Sequence, residues 1–175
     1  MDLVILGILI IFFFLLWLSY TRILGAEFYP TTRRKMEKML EFATLKKTDV
    51  VYDLGCGDGR LVIAAARRCR KAIGIEIDPI RYFISNLKIK FLGLKSAKIV
   101  IGNLFNRNLK DADVVFLFLN QKSNNKLQEK FNRELKKGTR IVSHYWIFKG
   151  WKAVMKDEKL RIYLYVIGKS NVKSN

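Results

Sequence analysis

Cysteine, proline and histidine are all scarce in this chain. Its 175 residues include 2 cysteines, 2 prolines and 1 histidine. Two isolated cysteines, Cys56 and Cys69, cannot form a disulfide framework and are typical of a reducing compartment. With His144 alone and no CxxC pattern, the sequence predicts no metal site. A disulfide-stapled scaffold and a zinc module are therefore excluded.

Acidic residues are also few, with 15 aspartates and glutamates against 33 lysines and arginines, which gives a net charge of +18. Such a charge favours anionic partners, namely lipid headgroups, nucleic acid or acidic protein surfaces. The lysines are scattered rather than massed in one block. A compositional bias therefore explains the charge equally well, and composition alone does not choose between these alternatives.

One long apolar run opens the chain, "LVILGILIIFFFLLWLSY" at residues 3–20, and it carries no charge. A helix needs about 20 apolar residues to cross a bilayer. A cleaved signal peptide would begin with basic residues and end at small ones, whereas Asp2 precedes this run. A buried core helix is a further alternative, but such a helix is seldom apolar on every face. We therefore predict a transmembrane anchor at residues 1–24 and a domain at residues 25–175.

Basic residues follow the apolar run directly and none precedes it. By the positive-inside tendency, this asymmetry predicts a single-pass membrane protein whose domain is cytoplasmic.

Apolar runs and amphipathic segments alternate through the rest of the chain. Continuous apolar runs suit strands that are covered on both faces, so the pattern predicts a parallel α/β sheet between helices. The segment 79–93 begins with proline, ends with glycine and carries an apolar stripe at helical spacing. The predicted strands are 49–54, 72–77, 97–102, 112–119 and 139–148, the predicted helices are 31–43, 60–70, 79–93 and 123–135, and a closing hairpin joins 151–155 to 160–167.

A glycine turn, "VYDLGCGDGR" at residues 51–60, follows the first predicted strand of the sheet. Glycine permits positive φ and lets backbone N–H groups approach a ligand closely. Ligands of such sheets bind at the carboxyl ends of the strands. The phosphate-loop pattern is absent, and the third glycine comes one residue too early for the dinucleotide pattern GxGxxG. Asp53 would repel a pyrophosphate but would favour a ligand with a cationic amino group.

Two further strand ends carry polar residues that suit a nucleoside. Glu76 ends the second predicted strand and follows Gly55 by 21 residues, close to the spacing expected of a carboxylate that binds ribose hydroxyls. Asn103 follows the third strand, where it could contact an adenine edge or could simply be a turn residue.

These motifs resemble the class I S-adenosylmethionine-dependent methyltransferases, with "VYDLGCGDG" as the first motif, "GIEIDP" as the acidic second and "GNLF" as the third. The resemblance implies a doubly wound, Rossmann-like seven-stranded sheet with six parallel strands and one antiparallel strand. It also implies S-adenosyl-L-methionine as the cofactor, with Glu76 on the ribose and Asn103 near the adenine. The implied cofactor-binding residues in these motifs are Asp53, Gly55, Cys56, Gly57, Gly59, Glu76, Ile77, Asn103 and Leu104.

Two longer segments, "GAEFYPTTRRKMEKML" and the stretch from "ADVVFLFLNQKS" to "SHYW", are similar to a family of small protein-lysine methyltransferases. That family has archaeal members and membrane-anchored mitochondrial members, and it is related to the histone lysine methyltransferases that lack a SET domain. The resemblance implies that Tyr29, Pro30 and Thr31 close over the cofactor. It implies that Asn120 and residues 144–146 line an acceptor channel. Asn120, His144 and Tyr145 are therefore the candidate catalytic residues, and Asn120 is also a candidate cofactor contact.

The acceptor is less constrained than the cofactor. The [DN]PP[YF] motif of base-amine methyltransferases is absent after the fourth strand, and Asn120 is followed by Gln121 where the histone enzymes have a longer Asn-rich motif. We predict a membrane-anchored protein-lysine N-methyltransferase that acts on a membrane protein or complex, near an anionic lipid surface. The alternatives are a small-molecule or nucleic-acid acceptor, and a membrane module that binds the nucleoside without catalysis.

Overall fold

A single mixed sheet organises the protein. The computed structural model describes residues 3–24 and 30–171, with side chains described for residues 3–16 and 30–171. Seven strands pair in the order β3-β2-β1-β4-β5-β7-β6. The strands are β1 (Val50–Leu54), β2 (Lys71–Glu76), β3 (Ala97–Ile101), β4 (Val114–Leu117), β5 (Arg140–His144), β6 (Met155–Asp157) and β7 (Ile162–Val166).

Strand direction follows the doubly wound pattern. The pairs β1–β2, β1–β4, β2–β3 and β4–β5 are parallel, and β7 lies antiparallel to both β5 and β6. Because β7 alone runs against the others, the sheet has six strands in one direction and one in the other. The predicted seven-stranded Rossmann-like sheet is therefore confirmed.

The sheet separates two hydrophobic cores. Helices α2 and α3 pack on one face, through residues such as Met39 and Leu61, and α4 adds Ile89 to the same core. Helix α5 covers the other face with Leu127 and Phe131. The helices are α1 (Leu3–Leu24), α2 (Arg33–Ala43), α3 (Arg60–Ala66), α4 (Pro79–Phe91) and α5 (Gln121–Glu134), with a 3₁₀ turn at Leu104–Asn106.

Local signals set where the helices begin and where β5 ends. Asp78 caps α4 by accepting hydrogen bonds from the N–H groups of Ile80 and Arg81, and Pro79 occupies the first turn. Asn120 caps α5 in the same way through Ser123 N–H. The predicted fifth strand, 139–148, is too long, because Tyr145 has a φ of 74° and cannot continue extended pairing.

The predicted transmembrane anchor and single-pass membrane localisation are corrected by the structure. Within residues 3–24 and 30–171, no helix has the length and apolarity that a membrane crossing requires. The apolar side chains described in α1 run from Leu3 to Leu16, which at about 1.5 Å per residue cover about 21 Å of a hydrocarbon core about 30 Å thick.

The apolar stripe of α4 faces away from the core. Ser85 and Ile89 are the residues of this helix that are buried. The stripe consists of Ile80, Phe83, Ile84, Leu87 and Phe91, whose exposed fractions lie between 41% and 90%. Helical periodicity predicted the stripe, but it did not reveal which side of the helix packs on the sheet.

Candidate cofactor and acceptor site

A cleft of about 440 Å³ opens at the carboxyl ends of β1, β2 and β4. This is the edge where ligands of doubly wound sheets bind. The cleft brings together eleven of the residues singled out from the sequence: Pro30, Thr31, Asp53, Gly55, Cys56, Gly57, Glu76, Ile77, Asn103, Leu104 and Asn120. Gly59, His144 and Tyr145 are not among its lining residues, and Tyr29 lies outside the residues that the structure describes.

The glycine turn is tied to the neighbouring strand. The N–H groups of Gly55 and Cys56 both donate to Ile75 O, at 2.9 and 3.1 Å. Gly55 has a φ of 79°, and a Cβ there would lie 2.9 Å from Leu119 Cδ2. A side chain at this position would therefore strain the backbone and press on the wall of the cleft. Burial raises the pKa of the Cys56 thiol above its ordinary value, so Cys56 lines the cleft as a neutral group.

Gly59 lies behind the turn rather than in the cleft. It precedes α3 with a φ of 75°, and its N–H donates to Cys56 O at 3.0 Å. Ser85 Oγ of α4 donates to Gly57 O at 2.8 Å. Together these bonds fix the turn against two helices, so Gly59 shapes the cleft from outside it.

Glu76 is buried and held by the backbone. Its Oε2 accepts the Gly57 N–H at 2.7 Å, and its Oε1 accepts the N–H groups of Ile77 and Asp78, both at 2.9 Å. The carboxylate thus joins the glycine turn to the end of β2. It lines the cleft with both oxygens fixed in position.

Asp53 is a buried carboxyl group whose surroundings disfavour negative charge. Within residues 30–171 no hydrogen bond to its side chain is found. Burial, followed by the charges of Glu76 and Asp58, raises the pKa of Asp53 to about 8. A cation placed in the cleft would relieve this repulsion, so the site is suited to a ligand that carries a positive group.

Arg60 connects the glycine turn to the segment before α2, and sequence reasoning did not assign it a role. Its Nη1 donates to Thr31 O at 2.9 Å, and its Nε donates to Asp58 Oδ1 at 2.9 Å. Burial acts to raise the pKa of Asp58, but hydrogen bonds from Arg60 and Lys88 outweigh burial and lower it to about 2. Arg60 therefore holds Thr31 at the cleft. Its place after the third glycine was the available signal.

Asn103 lies at the far end of the cleft. Its Oδ1 accepts the Phe105 N–H at 2.9 Å and caps the short 3₁₀ turn, as a turn residue would. The Lys126 ammonium lies 4.4 Å from the centre of the Phe105 ring. Phe105, Lys122 and Lys126 also line the cleft, and the sequence pattern did not point to them.

His144 is buried behind the wall of the cleft. Its ring centre lies 4.0 Å from that of Phe118, which lines the cleft. Neither ring nitrogen has a hydrogen-bond partner among the described residues. Burial, and then the charge of Lys35, lowers the pKa of His144 to about 4. The imidazole is therefore neutral at pH 7 and reaches the cleft through Phe118.

Tyr145 turns outward where β5 ends. The Arg161 guanidinium lies 4.4 Å from the centre of its ring, and the Trp146 ring packs edge-on at 4.9 Å. A cation over the tyrosine face is an attractive contact, but here the cation belongs to the protein itself. The structure thus places Asn120 in the cleft, His144 one side chain behind it and Tyr145 outside its lining.

The cleft fits a nucleoside with a cationic amino-acid tail. Its volume lies within the range of about 300–1,000 Å³ usual for ligand sites. The bare glycine turn leaves room for close approach, and Asp53 supplies an unsatisfied carboxyl group where a cation is favoured. The fold and the site together define a class I S-adenosylmethionine-dependent methyltransferase.

Comparison with known proteins specifies this class further. The ANTKMT methyltransferase domain model matches residues 53–155, and the chain belongs to this family of methyltransferases. A protein-lysine N-methyltransferase of Saccharolobus islandicus is 42% identical over 150 residues, which cover 81% of this chain and 93% of that protein. A human lysine N-methyltransferase of the ATP synthase is 30% identical over 125 residues, which cover 71% of this chain.

The match to the human enzyme spans 53% of that protein, so this chain corresponds to about half of its length. A crystal structure described as an RNA methyltransferase from Salinibacter ruber, in complex with S-adenosyl-L-homocysteine, superposes with a TM-score of 0.75 at 36% identity. That superposition covers 79% of this chain and 94% of the other. The comparisons thus agree on the cofactor and on methyl transfer, which confirms both predictions, and they name two kinds of acceptor.

Proposed function

We propose that this protein transfers a methyl group from S-adenosylmethionine to the ε-amine of a lysine in a protein acceptor. The match to a protein-lysine N-methyltransferase over 93% of that protein's length carries the proposal. The methyltransferase domain occupies residues 25–175 in this proposal. The related ATP synthase lysine N-methyltransferases make a lysine of a membrane protein or complex a natural first acceptor to test.

In this proposal the cofactor lies along the cleft from the glycine turn to Asn103. When bound, S-adenosylmethionine supplies an activated methyl group on a sulfonium, so the chain needs only to bind, orient and exclude water. Gly55 and Gly57 leave room for the amino-acid part, and Asp53 carries the charge that faces its amino group. Glu76 has lone pairs free to accept ribose hydroxyls while its backbone bonds hold it still.

Closure over the cofactor falls to Pro30 and Thr31. The Arg60 bond to Thr31 O holds this segment at the cleft, and Arg60 is itself fixed by two bonds to Asp58. Tyr29 directly precedes this segment in sequence, and its contact with the cofactor remains part of the proposal.

The acceptor lysine must reach the cofactor as a neutral amine, although a free lysine has a pKa of about 10.4. Desolvation in the cleft and the nearby sulfonium charge both lower that pKa. Asn120 lines the cleft beside Leu119 and can hydrogen-bond the incoming amine. His144 stays neutral and adds no positive charge to this end of the cleft. We assign it to positioning Phe118, and we assign Tyr145 to the outer surface of the acceptor path.

RNA is the second candidate acceptor, because a structural neighbour at 36% identity is described as an RNA methyltransferase. The net charge of +18 would also suit a polyanion. The experiment that separates the two acceptors incubates the purified chain with methyl-labelled S-adenosylmethionine and a cell extract. Protease and nuclease are then applied to separate samples.

We expect the label to be released by protease and to be found by mass spectrometry on lysine. Label that survives protease but is released by nuclease would contradict the proposal and favour RNA. Binding of the cofactor with no transfer to either class would favour a non-catalytic nucleoside-binding protein.

A further inference from the structure

Helix α4 presents an apolar stripe to the outside, formed by Ile80, Phe83, Ile84, Leu87 and Phe91. Phe83 is 66% exposed and Phe91 is 90% exposed. At about 100° per residue, the five side chains fall within an arc of about 100° on the helix surface. Contiguous exposed apolar surface of this kind usually marks an interaction site.

The stripe begins at the cleft. Asp78 and Arg81, at the start of α4, line the cleft, and Ile80 lies between them in sequence. From Ile80 to Phe91 the helix runs about 16 Å away from the cleft. Ile101, exposed at the end of β3, precedes Gly102, which also lines the cleft. A partner on the stripe would therefore reach the cofactor site.

The charges around the stripe select the partner. Residues Pro79–Phe91 contain no carboxylate, and their charged side chains are Arg81, Lys88 and Lys90. Exposed Lys95 and Lys98 follow in the chain. A second copy would bring these cations against their own kind, which disfavours self-association. An apolar surface bordered by carboxylates is the complementary partner.

We propose that the α4 stripe is a docking site for an acidic amphipathic helix of the protein acceptor, which holds the target lysine at the cleft. A helix of this type would place leucine-like side chains along the stripe and carboxylates beside its lysines, as in other helix-recognition surfaces. This inference rests on the proposed lysine methyltransferase function and names the substrate feature that the enzyme recognises.

The test compares three synthetic acceptors with the full-length chain. The first is a short unstructured peptide with one lysine. The second adds a helical extension with leucines at positions i, i+3, i+4 and i+7 and glutamates on its remaining positions. The third has the same extension with lysines in place of the glutamates. The measured quantities are KM and kcat for each peptide.

The variant Phe83→Ser/Phe91→Ser removes the two most exposed aromatic side chains of the stripe. Met155→Ser is the matched control, because Met155 is 48% exposed and lies on β6, at the opposite edge of the sheet from β3. Thermal unfolding monitors the fold of each variant. Both sites are exposed, so we expect each variant to unfold near the temperature of the wild type.

We expect the glutamate extension to lower KM at least about tenfold in the wild type, the factor that burial of one or two large apolar side chains supplies. The lysine extension should give no such gain. The gain should disappear in Phe83→Ser/Phe91→Ser and persist in Met155→Ser, while the short peptide is methylated equally by all three proteins.

Equal KM values for all peptides in wild type and variant would overturn the docking site while leaving the lysine activity intact. If no peptide is methylated by the wild type, the proposed function itself fails. Two further measurements exclude other occupants of the stripe. If the double variant abolishes sedimentation with phosphatidylglycerol–phosphatidylcholine vesicles, or abolishes dimers in analytical ultracentrifugation, without changing any KM, the proposal is wrong.

Discussion

The two ends of the cleft are built from different materials. At the cofactor end, Asp53 and Glu76 gather around a glycine turn, and backbone N–H groups hold the Glu76 carboxylate. At the acceptor end, Phe118 and His144 stack on each other, and the His144 nitrogens lack partners within the described part of the chain. One end is arranged to bind charge and hydroxyl groups, whereas the other is arranged to keep an amine neutral.

This difference shows why the cofactor can be read more easily than the acceptor. A small polar ligand requires particular residues at fixed spacing along the chain, because the turn and the strand end that bind it are local. An acceptor path is formed by side chains from α2, β4 and β5, which are distant in sequence. The predictions below alter one end and measure the other.

Removing the Glu76 carboxylate should have the largest effect. In Glu76→Ala the backbone N–H groups of Gly57, Ile77 and Asp78 lose their acceptor, and the ribose loses its partner. We expect cofactor affinity to fall about tenfold to a hundredfold, as the loss of about 1.5–3 kcal/mol from charged hydrogen bonds implies. Calorimetry with S-adenosylmethionine measures it. Glu129→Ala, an exposed glutamate of α5, is the control, and an unchanged affinity in folded Glu76→Ala would remove Glu76 from the site.

Acid should destabilise the acceptor end through His144. Its pKa is about 4 in the folded chain and about 6.5 in an unfolded one. Between these values the unfolded state binds the extra proton, so stability contributed by neutral His144 is complete above pH 6.5 and is lost as the pH falls. We expect the wild type to lose about 2 kcal/mol between pH 7 and pH 5 relative to His144→Gln.

Urea unfolding of both proteins at the two pH values measures the His144 effect, and the difference between them cancels the carboxylates they share. A gap that stays constant between pH 7 and pH 5 would show that His144 is not buried as a neutral group. Cofactor affinity at pH 7 should be the same in both proteins, because His144 does not line the cleft.

Cofactor binding should depend on pH through Asp53. Because its pKa is raised to about 8, most of the free protein carries a protonated Asp53 below that pH. A cationic ligand favours the charged form, so binding releases a proton. We expect affinity to rise by up to about tenfold per pH unit from pH 6 to 8 and then to level off. Calorimetry in buffers of different ionisation enthalpy detects the proton.

Asp53→Asn has no proton to release and should bind the cofactor with little dependence on pH. If the wild type showed the same flat profile, Asp53 would be charged in the free protein or distant from the ligand.

The smallest effect is expected from Asn120→Ala. Loss of the cap on α5 should cost about 1 kcal/mol of stability. Because Asn120 lies where the acceptor enters, we expect kcat/KM for a lysine peptide to fall more than cofactor affinity does. Asn125→Ala, an exposed asparagine of the same helix, serves as the control. An equal fall in both quantities would instead place Asn120 at the cofactor end.

Part of the acceptor end was predictable and part was not. The resemblance singled out Asn120, which lines the cleft, together with His144 and Tyr145, which do not. Their position at the end of β5 was readable, but the positive φ of Tyr145 turns that residue outward. Phe118 and Arg60 reach the cleft because of strand register and the path of the segment before α2, which no local pattern encodes.

The sequence by itself determined the sheet, the glycine turn and the residues beside the cofactor. These features depend on local chemistry: apolar runs that need cover on both faces, glycines that permit positive φ, and carboxylates at strand ends. The tertiary structure alone decided that Asp53 is buried beside Glu76 and Asp58, that His144 is neutral and that the α4 stripe faces outward. Burial, charge proximity and helix rotation depend on groups brought together from distant parts of the chain, and a linear pattern does not contain those distances.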